Sequence, residues 1–325
     1  MTARVPVGVV GVGALGQHHA RHLSTLPDAE LVGVYDHNPT RAREIAAQAN
    51  TRAFHDLDDL LGKVKAVSIA VPTPSHEAVG LEVLGRGIAV LMEKPLAATV
   101  AEADALIDMA RQRGVQLQVG HIERFNRAVR AARPSLDGPL YFESQRLAPF
   151  QPRGTDVAVI LDLMIHDLDL ILHLLGGAEA VDVRASGVAV LSPHLDMTNA
   201  RVEFAGGAIA NVTTSRLARD RVRKLRIFQP TGYLSLDLAS GSATFLRLKS
   251  GWRPGTGTRL DDVVETIPLE APEGDALRME LESFVHAVQG GRDTVVTGEE
   301  GRAALRLALA VAEAVDRQPA VLKPR

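Results

Sequence analysis

Six residues near the N-terminus fix the architecture of the first third of the chain. Val5 to Val10 is a short β-branched run that reads as a buried strand. Gly11-Val12-Gly13-Ala14-Leu15-Gly16 follows, and then a helical stretch from Gln17 to Leu26. A second strand, Ala29 to Tyr35, ends in Asp36, twenty residues after Gly16. Each part of this pattern has a physical task. The first glycine makes a tight turn, the second lets backbone approach a pyrophosphate, and the third allows close helix–strand packing. The helix N-terminus offers unpaired amides and the positive end of its dipole to the phosphates. A glycine-rich turn alone would be weak evidence. Between a strand and a helix, with an acidic residue at this distance, it predicts a dinucleotide-binding unit.

The alternation continues to about Val119. Arg41 to Ala49, His76 to Arg86 and Val100 to Arg113 read as helices, and Ala66 to Val71, Ile88 to Met92 and Val115 to Val119 as strands. Strands alternating with helices predict a parallel, doubly wound sheet, so the first domain is set at 1–122. Ligands of such sheets bind beyond the carboxyl ends of the strands. Two loops leave such ends: VPTPSH, which offers Val71, Pro72, Thr73 and His76, and MEKPL, which offers Glu93, Lys94 and Pro95. Both are expected to face the cofactor. A carboxylate at Asp36 can accept from the ribose hydroxyls and would repel a 2′-phosphate, which favours NAD over NADP. Arg41 is the contrary feature, because it could reach a phosphate; otherwise it reads as a solvated first-turn arginine.

Composition narrows the function class. The 325 residues are 46% hydrophobic and 23% charged, as in an ordinary globular protein. With no cysteine, disulfides and thiolate-bound metals are excluded. The net charge of −3 gives no footprint for nucleic acid, and no apolar run is long enough to span a membrane. A cytoplasmic protein acting on a small molecule is the expectation.

Residues 161 to 173, LDLMIHDLDLILH, have the composition of a buried helix yet carry five ionisable groups. At about 100° per residue, Asp162, His166, Asp169 and His173 share one narrow arc, while Asp167 points elsewhere and reads as solvated or capping. Burying such a stripe is costly unless its members pair or face a cleft. It reads as a satisfied core network, as part of a metal site with no further ligands in view, or as an acid–base pair in which Asp162 supports His166. The dinucleotide unit favours the last, with no metal. Lys94, at the end of a parallel strand, is the natural companion to hydrogen-bond a reacting hydroxyl.

Beyond Arg124 the pattern changes. A helix to Arg133, a strand from Leu140 to Leu147 and the ionisable helix precede strand candidates at 180–190, 199–205, 208–217, 224–229, 233–238 and 243–248. Helices at 275–289 and 299–316 complete the chain. This predicts a second domain, 123–325, of α+β class with a largely antiparallel open sheet, whose C-terminal helix packs back on the first. The basic segment RLARDRVRKLR, 216–226, reads as a strand edge guarded by charge. Arg146 and Arg153 flank the loop entering the ionisable helix and are placed to meet an anionic substrate.

The sequence resembles the glucose–fructose oxidoreductase and inositol dehydrogenase (Gfo/Idh/MocA) family. GVGALG, VPTPSH, EKP at 93–95, GHIERFN at 120–126 and DLMIHD at 162–167 carry the resemblance over roughly the first 175 residues. It implies Lys94, Asp162 and His166 as a catalytic trio, a cis Lys94–Pro95 bond, and a homodimer or homotetramer. His121 and Arg124 of GHIERFN become substrate-contact candidates beside Lys94 and His166, with His121 standing where many relatives carry an aromatic residue. APFQPRGTDVAVILDLMIHDLDLI is similar to a branch that oxidises the 3-hydroxyl of UDP-N-acetylglucosamine. The reading is therefore an NAD-dependent dehydrogenase of a sugar or nucleotide sugar. Its competitors are an inositol or free-pyranose dehydrogenase and a non-catalytic NAD-binding sensor.

Overall fold

Alternating runs of β-branched and amphipathic sequence fold the N-terminal part of this computed structural model, which describes residues 3–150, 158–253 and 259–317, into a doubly wound sheet. β1 (Val5–Val10), β2 (Ala29–Tyr35), β3 (Arg52–Phe54), β4 (Ala66–Ile69), β5 (Ala89–Glu93) and β6 (Leu117–Gly120) are all parallel, in the order β3-β2-β1-β4-β5-β6. The crossovers are α1 (Gly16–Leu23), α2 (Pro39–Gln48), α3 (Leu57–Leu61), α4 (His76–Gly85) and α5 (Val100–Arg113). Local chemistry sets their ends. Asn38 caps α2 by accepting from Thr40 and Arg41 N–H, with Pro39 at the first helical position. Thr99 and Glu102 form a reciprocal capping box on α5, which Gly114 closes at φ +65°. The strand order reverses between β1 and β4, so the loops after these two strands flank the crevice where a doubly wound sheet takes its ligand.

The chain divides into two compact units. One joins Met1–Ile122 to Gly274–Leu305, and the other joins Glu123–Glu273 to Arg306–Arg325. The expected second domain, 123–325, is therefore interrupted: residues 274–305 belong to the first unit. The physical reason is apolar. α9 (Ala276–Gly290), capped by Asp275 and closed by Gly291 at φ +59°, buries Leu281, Phe284 and Val285 in one cluster with Val5, Val7, Leu23 and Leu91. The start of α10 (Gly298–Asp316) lies against β6, because a Cβ on Gly301 would come within 2.5 Å of the Val119 side chain.

In the second unit, α6 (Arg127–Ala132) leads to β7 (Tyr141–Leu147). A π-helical turn over Ile160–Met164 runs directly into α7 (Ile165–Leu174). β8 (Ala180–Val188), β9 (Met197–Phe204), β10 (Ile209–Ser215), β11 (Val222–Gln229), β12 (Gly232–Asp237) and β13 (Ser242–Leu248) follow, then the short α8 (Leu260–Val263) and β14 (Val264–Leu269). They form an eight-stranded sheet in the order β14-β13-β12-β11-β7-β10-β9-β8. Only the β7–β10 pair is parallel, so the sheet is largely antiparallel, as expected. One face alternates inward with Phe142, Ala200, Val202, Val212, Leu225, Ile227 and Leu234, all buried, and carries α7 over β7 and β10. β11 is a central strand, so the basic segment is no sheet edge. Arg226 pairs across to Glu143, and Arg223 turns towards Glu123. Among the described residues no helix is long and apolar enough to cross a membrane.

Phe284 has no exposed surface and fills the core that the returning segment completes. Phe284→Ala is expected to lower the unfolding free energy by about 3–5 kcal/mol, read as a drop in the urea midpoint.

Candidate active site

The glycine loop is built as a cradle. Gly11 sits at φ +82°, where a side chain would be strained, and a Cβ on Gly16 would lie 1.8 Å from the Gly11 carbonyl oxygen. Both positions therefore admit only glycine. A Cβ on Gly13 would meet nothing within 4 Å, so open space lies over the backbone where a pyrophosphate must approach. Ala14 and Leu15 are exposed beside it. These features fit a bound dinucleotide, which Gly11, Gly13, Ala14, Leu15 and the N-terminal turn of α1 would hold.

Asp36 braces this loop from the end of β2. Its carboxylate accepts the N–H of Val12 at 2.8 Å and of Asn38 at 2.9 Å. A carboxylate has about four acceptor sites, so capacity remains for ribose hydroxyls. Arg41 is not the solvated residue the sequence suggested. Its Nε donates to the Val12 carbonyl at 3.0 Å and its other nitrogens donate to Gln17 and Glu44 at 2.9 Å. The guanidinium is thus spent on bracing the loop, which leaves less of it for a 2′-phosphate and strengthens the case for NAD.

The loops after β4 and β5 are tied together by one ring. His76 is buried, with Nδ1 2.9 Å from the Pro95 carbonyl and Nε2 3.0 Å from the Val71 carbonyl. Burial lowers its pKa, although both carbonyls favour the charged ring. Neutral imidazole donates to one carbonyl only. Val71 and Thr73 are half-buried and Pro72 is exposed, while Pro95 is buried after a cis bond to Lys94. Lys94 itself is half-buried. Its backbone N–H donates to Glu93 at 3.2 Å. Burial would raise the Glu93 carboxyl, but the hydrogen bond and charge of His19, with the charge of Lys94, outweigh it and hold the pKa low. His121 closes β6 and is buried.

In the second unit the ionisable helix is held by arginines. Arg124 grips Asp169 with two nitrogens, at 2.9 and 2.6 Å, and donates to His173 Nδ1 at 3.1 Å. Arg146 grips Asp167 at 2.7 and 3.1 Å and Glu123 at 2.8 Å. Burial opposes the charge on Arg146, yet Asp167 and Glu123 outweigh it and drive its pKa up. Two expectations are corrected here. Asp167 is neither solvated nor a cap, being 1% exposed. Arg146, expected to meet an anionic substrate, is 2% exposed and committed to two carboxylates, and Arg124 is likewise buried in its pair with Asp169. Arg153, the other substrate candidate, lies outside the described residues. Of the expected stripe, Asp169 and His173 meet at Arg124. Asp162 in the π turn and His166 in the first turn of α7 are left half-buried.

A model of an oxidoreductase family with an NAD-binding Rossmann fold matches residues 5–121, and the Gfo/Idh/MocA C-terminal domain matches 107–235. The chain belongs to the Gfo/Idh/MocA oxidoreductase family. It is 42% identical over 310 residues, covering 95% of this chain and 96% of the relative, to a UDP-N-acetylglucosamine 3-dehydrogenase of Acidithiobacillus ferrooxidans. A crystal structure of that enzyme has a TM-score of 0.90 at 41% identity, covering 96% of this chain and 98% of the other. The NAD-dependent scyllo-inositol 2-dehydrogenase of Bacillus subtilis is more distant, at 26% identity over 95% of this chain and 94% of its own.

Membership in the Gfo/Idh/MocA family places NAD as the cofactor of the first unit and a dehydrogenase reaction at a sugar hydroxyl as the activity. Three residues were not singled out from the sequence: Glu123, His19 and Ser68. Glu123 stands inside GHIERFN, and only the fold reveals that it neutralises Arg146. His19 follows Gly16 at helical spacing, which turns it inward, and it carries no other mark.

Removing Arg146 would strip buried Asp167 of its guanidinium and Glu123 of the nearer of its two. Arg146→Met is expected to destabilise the protein by about 3–5 kcal/mol at neutral pH. The deficit is read as a drop in the urea midpoint against wild type.

Proposed function

We propose that this protein is the NAD-dependent dehydrogenase that oxidises the 3-hydroxyl of UDP-N-acetylglucosamine to the 3-keto sugar. The observation that carries the substrate is the 42% identity, over nearly the full length of both chains, to an enzyme of that activity. The inositol dehydrogenases that also match at full length stand at 25–26% identity.

Oxidation of a secondary alcohol removes a proton from oxygen and a hydride from carbon, and NAD, when bound, accepts the hydride. The imidazole of His166 takes the proton. Its Nδ1 is buried, so Nε2 is the nitrogen we assign to the substrate oxygen. We assign Asp162, in the preceding π turn, as the counter-charge to the imidazolium that forms. From the first unit, Lys94 is the group we assign to supply positive charge to the reacting alcohol. With Arg146 committed to its carboxylates, Arg153 remains as the candidate for the substrate diphosphate.

Purified protein with NAD would be offered UDP-N-acetylglucosamine, other nucleotide sugars, myo-inositol and glucose, and NADH absorbance followed. Turnover of UDP-N-acetylglucosamine well above the rest is expected; preference for myo-inositol or glucose would overturn the substrate. His166→Asn is expected to lower kcat by roughly 10²–10⁴ while the NAD Kd stays within about twofold. Unchanged turnover would remove His166 from its role.

A further inference from the structure

A buried histidine on α1 lies behind the end of β5. His19 is 1% exposed, with Nδ1 2.7 Å from the hydroxyl of Ser68 in β4 and Nε2 3.0 Å from one carboxylate oxygen of Glu93. The other oxygen of Glu93 accepts the backbone N–H of Lys94 at 3.2 Å. Gly120 of β6 makes room for this carboxylate, since a Cβ there would lie 3.3 Å from Glu93 Cδ and Oε2. The chain of contacts therefore runs β4, α1, β5, and ends at the lysine.

The order serine, histidine, carboxylate is that of a hydrolytic triad, but Ser68 is 0% exposed and no acyl group can reach its hydroxyl. The arrangement serves placement instead. A carboxylate oxygen only accepts, so Nε2 carries the proton and donates to Glu93. In the neutral ring Nδ1 then accepts from the Ser68 hydroxyl, so Ser68 fixes the tautomer that Glu93 needs. Both oxygens of Glu93 are thereby committed, one to α1 and one to the Lys94 amide. The charged or titratable groups facing Glu93 are His19 from α1, Lys94 beside it in the chain and His76 from α4.

We infer that His19 is a positioning residue: through Glu93 it fixes the backbone at Lys94, and so couples the helix that opens the dinucleotide cradle to the placement of the lysine. The inference rests on the dehydrogenase reading for its effect on turnover, but the placement of Lys94 can be measured without it. Asparagine can offer its amide near the place of Nδ1 and glutamine near that of Nε2. His19→Asn thus keeps the polar contact with Ser68 and loses the donor to Glu93, whereas His19→Gln keeps the donor to Glu93.

Two readouts are compared in wild type, H19N and H19Q, each with its melting temperature. The first is the rate at which the Lys94 amine is acetylated by acetic anhydride, followed by peptide mass spectrometry. The second is the pH profile of kcat. H19N is expected to alter the Lys94 labelling rate several-fold and to lower kcat on the order of 10–100-fold, with the NAD Kd little changed. Without the His19 donor, burial raises the Glu93 carboxyl, so the acid limb of the kcat profile moves to higher pH. H19Q is expected to restore the labelling rate and most of kcat. Equal labelling and equal profiles in all three folded proteins would overturn the inference. So would a loss shared equally by H19N and H19Q that follows only the melting temperature. Should H19N not fold, Glu93→Gln weakens the same link from the other side by removing the carboxylate charge and is expected to alter Lys94 labelling likewise; unaltered labelling there rejects the inference. If wild type turns over no alcohol, the dehydrogenase reading fails, and the labelling arm still decides the role of His19.

Discussion

Buried charge must be matched or the element that carries it cannot stay buried, and α7 meets this constraint with two arginines. Its carboxylates at Asp167 and Asp169 face away from each other, one towards Arg146 on β7 and one towards Arg124 just before α6. A lone carboxylate at either place would cost several kcal/mol in desolvation, which only a close, hydrogen-bonded partner offsets. Both pairs are two-pronged, so they fix direction as well as charge. The helix is held in rotation and along its axis by groups that leave no freedom to its first turn, where His166 stands. A purely apolar helix could be packed as tightly, yet it would specify its azimuth less sharply. Arg146 is itself fixed from outside α7 by Glu123, whereas Arg124 is held by α7, through its fork over Asp169 and its contact with His173.

The first unit solves a different problem with similar means. Its parallel sheet ends in loops that have no ladder to hold them, and the cofactor crevice opens among those loops. Asp36 and Arg41 brace the glycine turn from β2 and α2, by accepting the Val12 amide and donating to its carbonyl. His76 spans the loops after β4 and β5. Each brace is a polar side chain reaching backbone, which immobilises the loop without covering it. Open space over Gly13 survives because none of the braces lies on that side.

Much of this was legible in the sequence, and what escaped it has physical causes. The glycine spacing, the strand–helix alternation and Asp36 are local signals, and they placed the doubly wound sheet and its cradle. β3 and α3 are three and five residues long, too short to show a period, and went unmarked. The returning segment 274–305 was readable as helix but not as part of the first unit, because Leu281 and Phe284 display only an apolar stripe and not its destination. The helical projection grouped Asp162, His166, Asp169 and His173 by angle alone. Angle cannot supply partners, and the partners of α7 lie 45 residues away at Arg124 and 21 at Arg146. Asp167, set aside as solvated, is one of the most tightly held carboxylates in that unit. The π turn is equally silent in sequence, since it differs from an α-turn by one hydrogen-bond register.

Exposure separates the groups we propose to react from the groups that hold them. Lys94, Asp162 and His166 are half-buried, whereas His19, Ser68, His76, Glu123, Arg124, Arg146, Asp167 and Asp169 are buried. A proton donor or acceptor must meet substrate and also change its charge during turnover, which full burial would forbid at an accessible pH. A supporting ion has the opposite requirement. Its charge should never change, so it is best removed from water and locked against a partner, as the raised pKa of Arg146 and the lowered pKa of Glu93 both express. Constant charges thus surround the variable ones in each unit. The contacts of Glu93 behind Lys94 and the ion pairs of Asp167 and Asp169 are already made in the protein alone, so little reorganisation of them remains for the chemical step.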